Sequence, residues 1–314
     1  MIDALFREAV SAIDAGDVAA LERLLTTHPR LATERLDSPG AWLRDKVGDA
    51  LNGFFKQPYL LWFVAEDPVR NGKLPRNIAT VARMIIEAAR RQRVDALPEQ
   101  LDYALRLVCW SWIARECGVQ IELIDTLVDA GASLDGESTY ENRYGSHSDA
   151  AIYNGNFKAA ERLLVLGAPL TLTTALCLGR WTDFERMAHA ATLAEKQDAF
   201  VQAALNGNAE ALRRMLALGM DPTTVSDRTQ SHGTALHHAV WSGCLDAVRA
   251  LVKAGADLRR RDTCYNATPL GWAEYGEAQQ KEVSANPQKA EVHKAGVAKR
   301  YAEIAVYLRE KGGT

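Results

Sequence analysis

Apolar residues recur three and four apart through most of the chain, in short blocks separated by glycine. In residues 245–253 the apolar positions are Leu245, Val248, Leu251 and Val252, and Asp246, Arg249 and Lys253 take the opposite side of a 3.6-residue wheel. Such a block predicts a helix with one buried face and one wet face. It forms the second half of a longer unit, TALHHAVWSGCLDAVRALVKAGADL from Thr234 to Leu258, which reads as a short helix, a glycine-centred turn, an amphipathic helix and a glycine-capped exit. The same second half returns in residues 204–222 (ALNGNAEALRRMLALGMDP), 152–169 (IYNGNFKAAERLLVLGAP) and 13–25 (IDAGDVAALERLL). Turn glycines Gly16, Gly155, Gly207 and Gly243, with Gly118 and Gly179 in the same slot, stand between two helical blocks each. Gly131, Gly167, Gly219 and Gly255 close the second helices, and the intervals 131–167 and 219–255 both measure 36 residues. The longer interval between Gly167 and Gly219 holds an additional, shortened unit.

A helix pair with one apolar stripe cannot bury it alone, so consecutive pairs must stack into an array with a continuous core. A length of 314 residues would suit two globular domains. The repeats instead predict one domain over 1–314, an all-α solenoid of about eight units beginning near residues 3, 58, 99, 145, 171, 196, 232 and 267. The first unit is followed by an extra segment, residues 38–56, where Leu43, Val47 and Leu51 have helical spacing. The second carries an insertion, 66–76, with turn chemistry at Pro68, Asn71-Gly72 and Pro75. The last holds the Gln-, Glu-, Lys- and Ala-rich stretch 276–298 before a final helix at 301–311. Arg300, Glu303, Arg309, Glu310 and Lys311 make that helix a polar cap.

The run from Gly233 to Asp262 carries a family signature: Thr234-Ala235-Leu236-His237, Gly243, Ala254-Gly255-Ala256-Asp257-Leu258 and the closing Asp262. It resembles an ankyrin repeat. Residues 268–275, TPLGWAEY, resemble the start of the next one, with Gly271 where the usual His would stand. The weaker copies keep the turn glycine and second helix but lose the Thr-Pro-Leu-His opening. With residues 58–89 and 117–134 included, the chain is similar to bacterial ankyrin-repeat proteins of unassigned function.

The resemblance implies a concave groove lined by first helices and loop tips, faced by the two residues before each turn glycine. Those slots hold Asp14 and Ala15, Tyr153 and Asn154, Cys177 and Leu178, Leu205 and Asn206, and Trp241 and Ser242, with Tyr275 near the end. Tyr and Trp dominate protein interfaces because each offers a large rigid area and a polar handle. The expected anchor stripe is therefore Tyr153, Leu178, Leu205, Trp241 and Tyr275, bordered by Asn154, Asn206 and Ser242. Polar loop tips add Tyr140, Arg143 and Tyr144, then Asp227 and Arg228, then Tyr265. The implied function is a non-enzymatic protein–protein interaction scaffold.

Composition narrows the partner. Lys plus Arg is 37 against 40 for Asp plus Glu, a net charge of −3, which argues against a basic nucleic-acid footprint. Residues 1–138 hold 21 acidic and 16 basic side chains and the remainder 19 and 21, a mild polarity that can orient a partner. Cysteines 109, 117, 177, 244 and 264 show no paired spacing and read as reduced thiols of a cytosolic monomer. No apolar run reaches the ~20 residues of a membrane helix, and Asp3, Arg7 and Glu8 interrupt the start where a signal peptide would be apolar.

The chain has no G-x-S-x-G, G-x-x-x-x-G-K, G-x-G-x-x-G or H-E-x-x-H, so neither catalysis nor a cofactor is expected. His237 and His238 point about 100° apart on a helix and lack metal-spaced partners, so no metal is expected. By the resemblance, His237 instead ties to Thr234 and a neighbouring loop. Cys109 and Cys117, flanking Trp110-Ser111-Trp112, read as packing residues two turns apart on one helix. Arg259-Arg260-Arg261 reads as solvated loop charge, and Arg90-Arg91 with Arg93 as helix-end cations. Two alternatives stand beside the scaffold. One is a secreted effector binding a host protein. The other, of a different class, is an enzyme or small-molecule receptor with a site between the second and third units near Trp62, Trp110 and Trp112.

Overall fold

The computed structural model describes residues 2–93, 95–135, 145–228, 231–285 and 300–313. They form helices and short 3-10 segments with no β-sheet, only an isolated bridge between Arg35 and Tyr59. No described helix is long and apolar enough to cross a membrane.

Two compact units divide the chain, residues 1–169 and 170–314. In chain order the first holds α1 (Ile2–Ala15), α2 (Val18–Thr27), α3 (Ala41–Val47), the 3-10 segment Leu60–Ala65, α4 (Ile78–Arg91), α5 (Leu97–Trp110), α6 (Trp112–Glu116), α7 (Gln120–Asp129), α8 (His147–Tyr153) and α9 (Phe157–Val165). Its pairs are α1 with α2, the 3-10 segment with α4, α5 with α7, and α8 with α9. First elements pack on first elements and second helices on second helices, so α2, α4, α7 and α9 form one layer. The second unit holds α10 (Leu172–Cys177), α11 (Trp181–Ala190), α12 (Leu193–Leu205), α13 (Ala209–Ala217), α14 (Ala235–Ser242), α15 (Leu245–Lys253), α16 (Pro269–Ala285) and α17 (Tyr301–Glu310). Here α10, α12, α14 and α16 follow one another in a layer, and α13, α15 and α17 in another. This is helix-turn-helix solenoid architecture, with the apolar stripes of both layers forming the core: Val248 and Leu251 of α15 and Leu212 and Met215 of α13 are completely buried.

The six turn glycines and four closing glycines named above all adopt φ between +64° and +105°. Gly207 shows why no other residue serves. Its φ is +64°, and a Cβ there would lie 2.7 Å from the Cβ of Cys244 and 2.9 Å from Ser242 Oγ of the following pair. Beside three turns, an asparagine that starts the second helix reaches back to the preceding pair: Asn77 Nδ2 donates to Gly16 O (2.9 Å), Asn156 Nδ2 to Cys109 O (2.6 Å) and Asn208 Nδ2 to Cys177 O (3.3 Å).

Three places depart from the sequence reading. Cys109 and Cys117 are not on one helix. Ser111 takes an extended conformation, ends α5 and caps α6 by accepting from Ala114 N–H at 3.0 Å. The first element of the second pair is a single 3-10 run, all six residues buried, closed by Glu66 in the left-handed region at φ 51°. Finally, α16 runs straight through Gly276, where the repeat pattern would stop it. Tyr301 explains the glycine there, since a Cβ would meet its ring carbons at 2.6–2.7 Å. The extra segment after the first pair is tied to α1, with Asp3 Oδ1 accepting from Gly40 N–H and Trp42 Nε1–H, both at 2.8 Å.

The insertion after the 3-10 segment folds around one buried cation. Arg70 Nη2 donates to Asp14 Oδ1 (2.9 Å) and Phe63 O (2.8 Å) and lies 3.0 Å from Glu66 Oε2. Glu66 Oε1 in turn accepts the backbone N–H groups of Arg70, Asn71 and Gly72. Burial, and then the charge of Glu66, push the half-buried Asp67 carboxyl up to about 7, with Arg70 opposing. A carboxyl that keeps its proton in the folded state above its unfolded range loses stabilisation as pH rises between the two values. Stability should therefore fall from about pH 4 to about pH 7, and Asp67→Asn should remove that slope. Urea titrations across this window check the expectation, and a parent as flat as the variant would refute it.

Candidate partner-binding surface

In the second unit the first helices present their C-terminal ends in sequence. Leu178 caps α10, Leu205 and Asn206 end α12, Trp241 and Ser242 end α14, and Tyr275 lies on α16. Leu178, Leu205, Asn206, Trp241 and Ser242 are half-buried, while Tyr275 is 58% exposed. The polar members serve their own helices: Asn206 Nδ2 donates to Gln202 O at 3.0 Å, and Ser242 Oγ to Ala239 O at 2.7 Å. Trp241 and Tyr275 are brought together, their rings stacked at 6.5 Å with an interplanar angle of 21°. Tyr301 closes the group from beneath; its ring is 6.4 Å from that of Trp241, and its hydroxyl donates to Trp241 O at 2.9 Å.

The tip between α15 and α16 is organised by a buried carboxylate. Asp262 accepts from the N–H groups of Cys264 (2.9 Å), Tyr265 (2.6 Å) and Ala267 (2.9 Å) and from Trp272 Nε1 (3.0 Å). Burial alone would raise this carboxyl. The bonds from Tyr265, Trp272, Ala267 and Cys264 overcome it and hold the pKa at about 2. Trp272, fixed by that bond, is the hub of a ring cluster: His232 stacks on it at 5.6 Å, and Trp241 and Tyr265 meet it at 6.1 and 6.5 Å. Tyr265 itself is 75% exposed.

His237 occupies the expected tie. Its Nδ1 accepts from Thr234 N–H (3.2 Å) and lies 2.8 Å from Thr234 Oγ1, which leaves Nε2–H to donate to Ala267 O (3.2 Å). Burial lowers its pKa and favours that neutral ring. Asp227 and Arg228 are exposed on the preceding tip, which Ser226 anchors by donating to Asp198 Oδ1 at 3.0 Å.

In the first unit Tyr153 and Asn154 end α8, both half-buried, and Asn154 Nδ2 faces Ala150 O at 3.5 Å. Tyr140, Arg143 and Tyr144 lie outside the described residues. Around Trp62 the rings fill one another's space: Trp62 is completely buried, with Tyr103 at 4.5 Å, Tyr59 at 5.4 Å and Phe55 at 6.3 Å, and Phe54 meets Trp110 edge-on at 6.1 Å. The neighbouring ionisable groups are suited to packing. Burial raises the Cys109 thiol to about 12, while burial and then the charge of Arg106 push His147 down to about 3. Arg106, fully buried on α5, donates to Gly145 O at 2.9 Å, just before α8. Among the described residues no group of three or more His, Cys, Asp or Glu is placed to hold a metal, and the five cysteines are free.

Sequence reasoning missed Trp272, His232 and Tyr301 as members of the ring cluster, and Asp262 as its organiser. The available signal was Asp262 itself, an Asp opening a loop that closes on Thr268-Pro269, the pattern of a side chain bonding the backbone two and three residues on.

Comparison with known proteins places the repeats. A family model for ankyrin repeats (3 copies) matches residues 148–262. No curated protein matches the chain significantly. Among solved structures, the ankyrin repeat domain of human ASB11 is similar at 16% identity, covering 62% of this chain and 88% of that one with a TM-score of 0.33. The ankyrin repeat domain of Bcl-3 is similar at 18% identity, covering 84% and 92%, with a TM-score of 0.36.

Proposed function

We propose that this chain, which carries ankyrin repeats over residues 148–262, is a non-enzymatic scaffold that holds a protein partner at the first-helix ends and loop tips. Ankyrin repeats serve generally as protein–protein interaction modules. The observation that carries the reading is the exposed edge of the ring cluster. Tyr275 stacked on Trp241, and Tyr265 beside Trp272, offer aromatic area to solvent from a base locked by Asp262 and Tyr301. Rigid aromatic side chains lose little entropy on binding and rank high among interface hot spots. The polar residues around them, Asp227, Arg228, Asn206 and Ser242, supply a rim, and Leu178 and Leu205 extend the apolar row. Tyr153 and Asn154 take the same slots in the first unit, where Tyr140, Arg143 and Tyr144 would add a tip. The scaffold is read as a single repeat domain.

Affinity capture with mass spectrometry from the native cell tests this. Replacing Trp241 and Tyr275 by Ala should each weaken retention of the captured partner by about 2 kcal/mol, roughly thirtyfold, with helicity unchanged. Phe157→Ala, on the second-helix layer, should have no effect. Equal retention by all three variants would overturn the surface.

A further inference from the structure

Away from the ring cluster, the second helices of the last two pairs leave a groove between them. It has a volume of about 390 Å³ and is lined by Arg249, Val252 and Lys253 of α15 and by Tyr307 and Lys311 of α17 and its cap. Every charged side chain in that lining is a cation. Several surface arginines elsewhere are matched with carboxylates: Arg83 with Glu122, Arg162 with Asp125, Arg214 with Glu210 and Glu185, Arg309 with Glu274. In the groove, Arg249 contacts Asp246 at 3.4 Å and also feels the charge of Glu303, which is itself paired with Arg300, while neither Lys253 nor Lys311 makes an ion pair among the described residues. The cations are also organised. The Arg249 guanidinium and the Lys311 ammonium lie 5.7 and 5.8 Å from the centroid of one ring, Tyr307, and Lys253 follows Arg249 by one helical turn. A larger groove of about 810 Å³ along α1 and α2 differs in that Asp3, Glu8 and Asp17 share its lining with Arg7 and Arg23.

We infer that the groove between α15 and α17 is a binding site for a small, multiply charged phosphate, held by Arg249, Lys253 and Lys311 over the Tyr307 ring. Gathering three cations costs electrostatic repulsion, which a compact anion relieves. Lysine ammonium groups act as point charges toward phosphate, and the arginine fork adds paired hydrogen bonds. The volume lies at the small end of the ~300–1,000 Å³ typical of small-molecule sites. The net charge of −3 likewise disfavours nucleic acid.

Titration calorimetry of the full chain with inorganic pyrophosphate, at about 0.15 M ionic strength, tests the site. Saturable one-site binding is expected, with a Kd below about 1 mM. Lys253→Gln with Lys311→Gln should weaken it by at least about tenfold, while Arg259→Gln with Arg260→Gln, an equal change in net charge on a loop tip, should leave it within about twofold. All four side chains are exposed, so circular dichroism should be unchanged in both variants. Absence of saturable binding, an equal loss in the loop-tip variant, or equally tight binding of citrate would overturn the assignment.

Discussion

Arg70→Ala is expected to destabilise the first unit by about 3–5 kcal/mol. The side chain is 1% exposed and Glu66 is completely buried, so removal of the guanidinium strands a carboxylate that water does not reach. Asp14, on the first pair, loses its cation at the same time and keeps only the Asn71 amide at 2.7 Å. The cluster therefore links the first pair to the second through charge. The guanidinium also lies 5.1 Å from the Phe63 ring centroid, so packing is lost along with charge. A double variant, Glu66→Gln with Arg70→Met, should recover much of the loss, because a buried pair replaced by neutral groups of similar volume is far less costly than a pair halved. Urea unfolding followed by hydrogen exchange in residues 1–93 distinguishes the cases. A single variant as stable as the double would show that the charges are not what holds this region.

Asp262→Ala should lower the stability of the second unit by about 2–4 kcal/mol, since three backbone donors and the Trp272 indole lose a charged acceptor together. The pH dependence identifies the cause. Because the folded carboxyl is held at about 2, below its unfolded value, its contribution is complete above about pH 4 and is lost as pH falls toward 2. Asp262→Asn should thus be less stable than the parent at pH 7, and the two should converge near pH 2. The sign is opposite to that for Asp67. Trp272 reports the change directly: freed from the carboxylate, its indole N–H should exchange faster in either variant. A constant gap between parent and Asn variant from pH 7 to pH 2 would refute the assignment.

The pairing of helices was legible because two independent signals coincide, a 3.6-residue apolar period and glycines at positions that require positive φ. Where one signal is missing, the reading slips. Residues 60–65 are apolar without interruption, so no period tells a 3-10 run from an α-helix. The break at Ser111 lies inside an apolar stretch; Gln120 at the start of α7, donating to Val108 O at 2.9 Å and Ser111 O at 3.2 Å, stabilises it from a distance. Gly276 shows the converse. The residue type matches a turn, but the Glu, Ala, Gln and Lys that follow are strong helix formers, and α16 continues. In the candidate surface, the places of Trp241 and Tyr275 near the ends of their first helices were legible, but not that their rings stack. The bond between Asp262 and Trp272 spans ten residues, and Tyr301 reaches Trp241 across sixty, distances over which a sequence pattern carries no geometry.

The asparagine bonds that join neighbouring turns bear on how the array comes apart. Asn77, Asn156 and Asn208 each belong to one pair but satisfy a carbonyl of the pair before it, so opening either member breaks a bond owned by both. Within each unit the free energy then divides into a term intrinsic to each pair and a term for each junction, as in a one-dimensional chain of coupled spins. At the junction after Asn208 the residue in the equivalent position is Cys244, which carries no amide, and Gly207 lies so close to the next pair that a Cβ would meet Cys244 and Ser242. The junctions are thus chemically unequal: three carry an asparagine amide bond and this one a close steric fit without it, so heat and denaturant need not begin the unravelling at the same place.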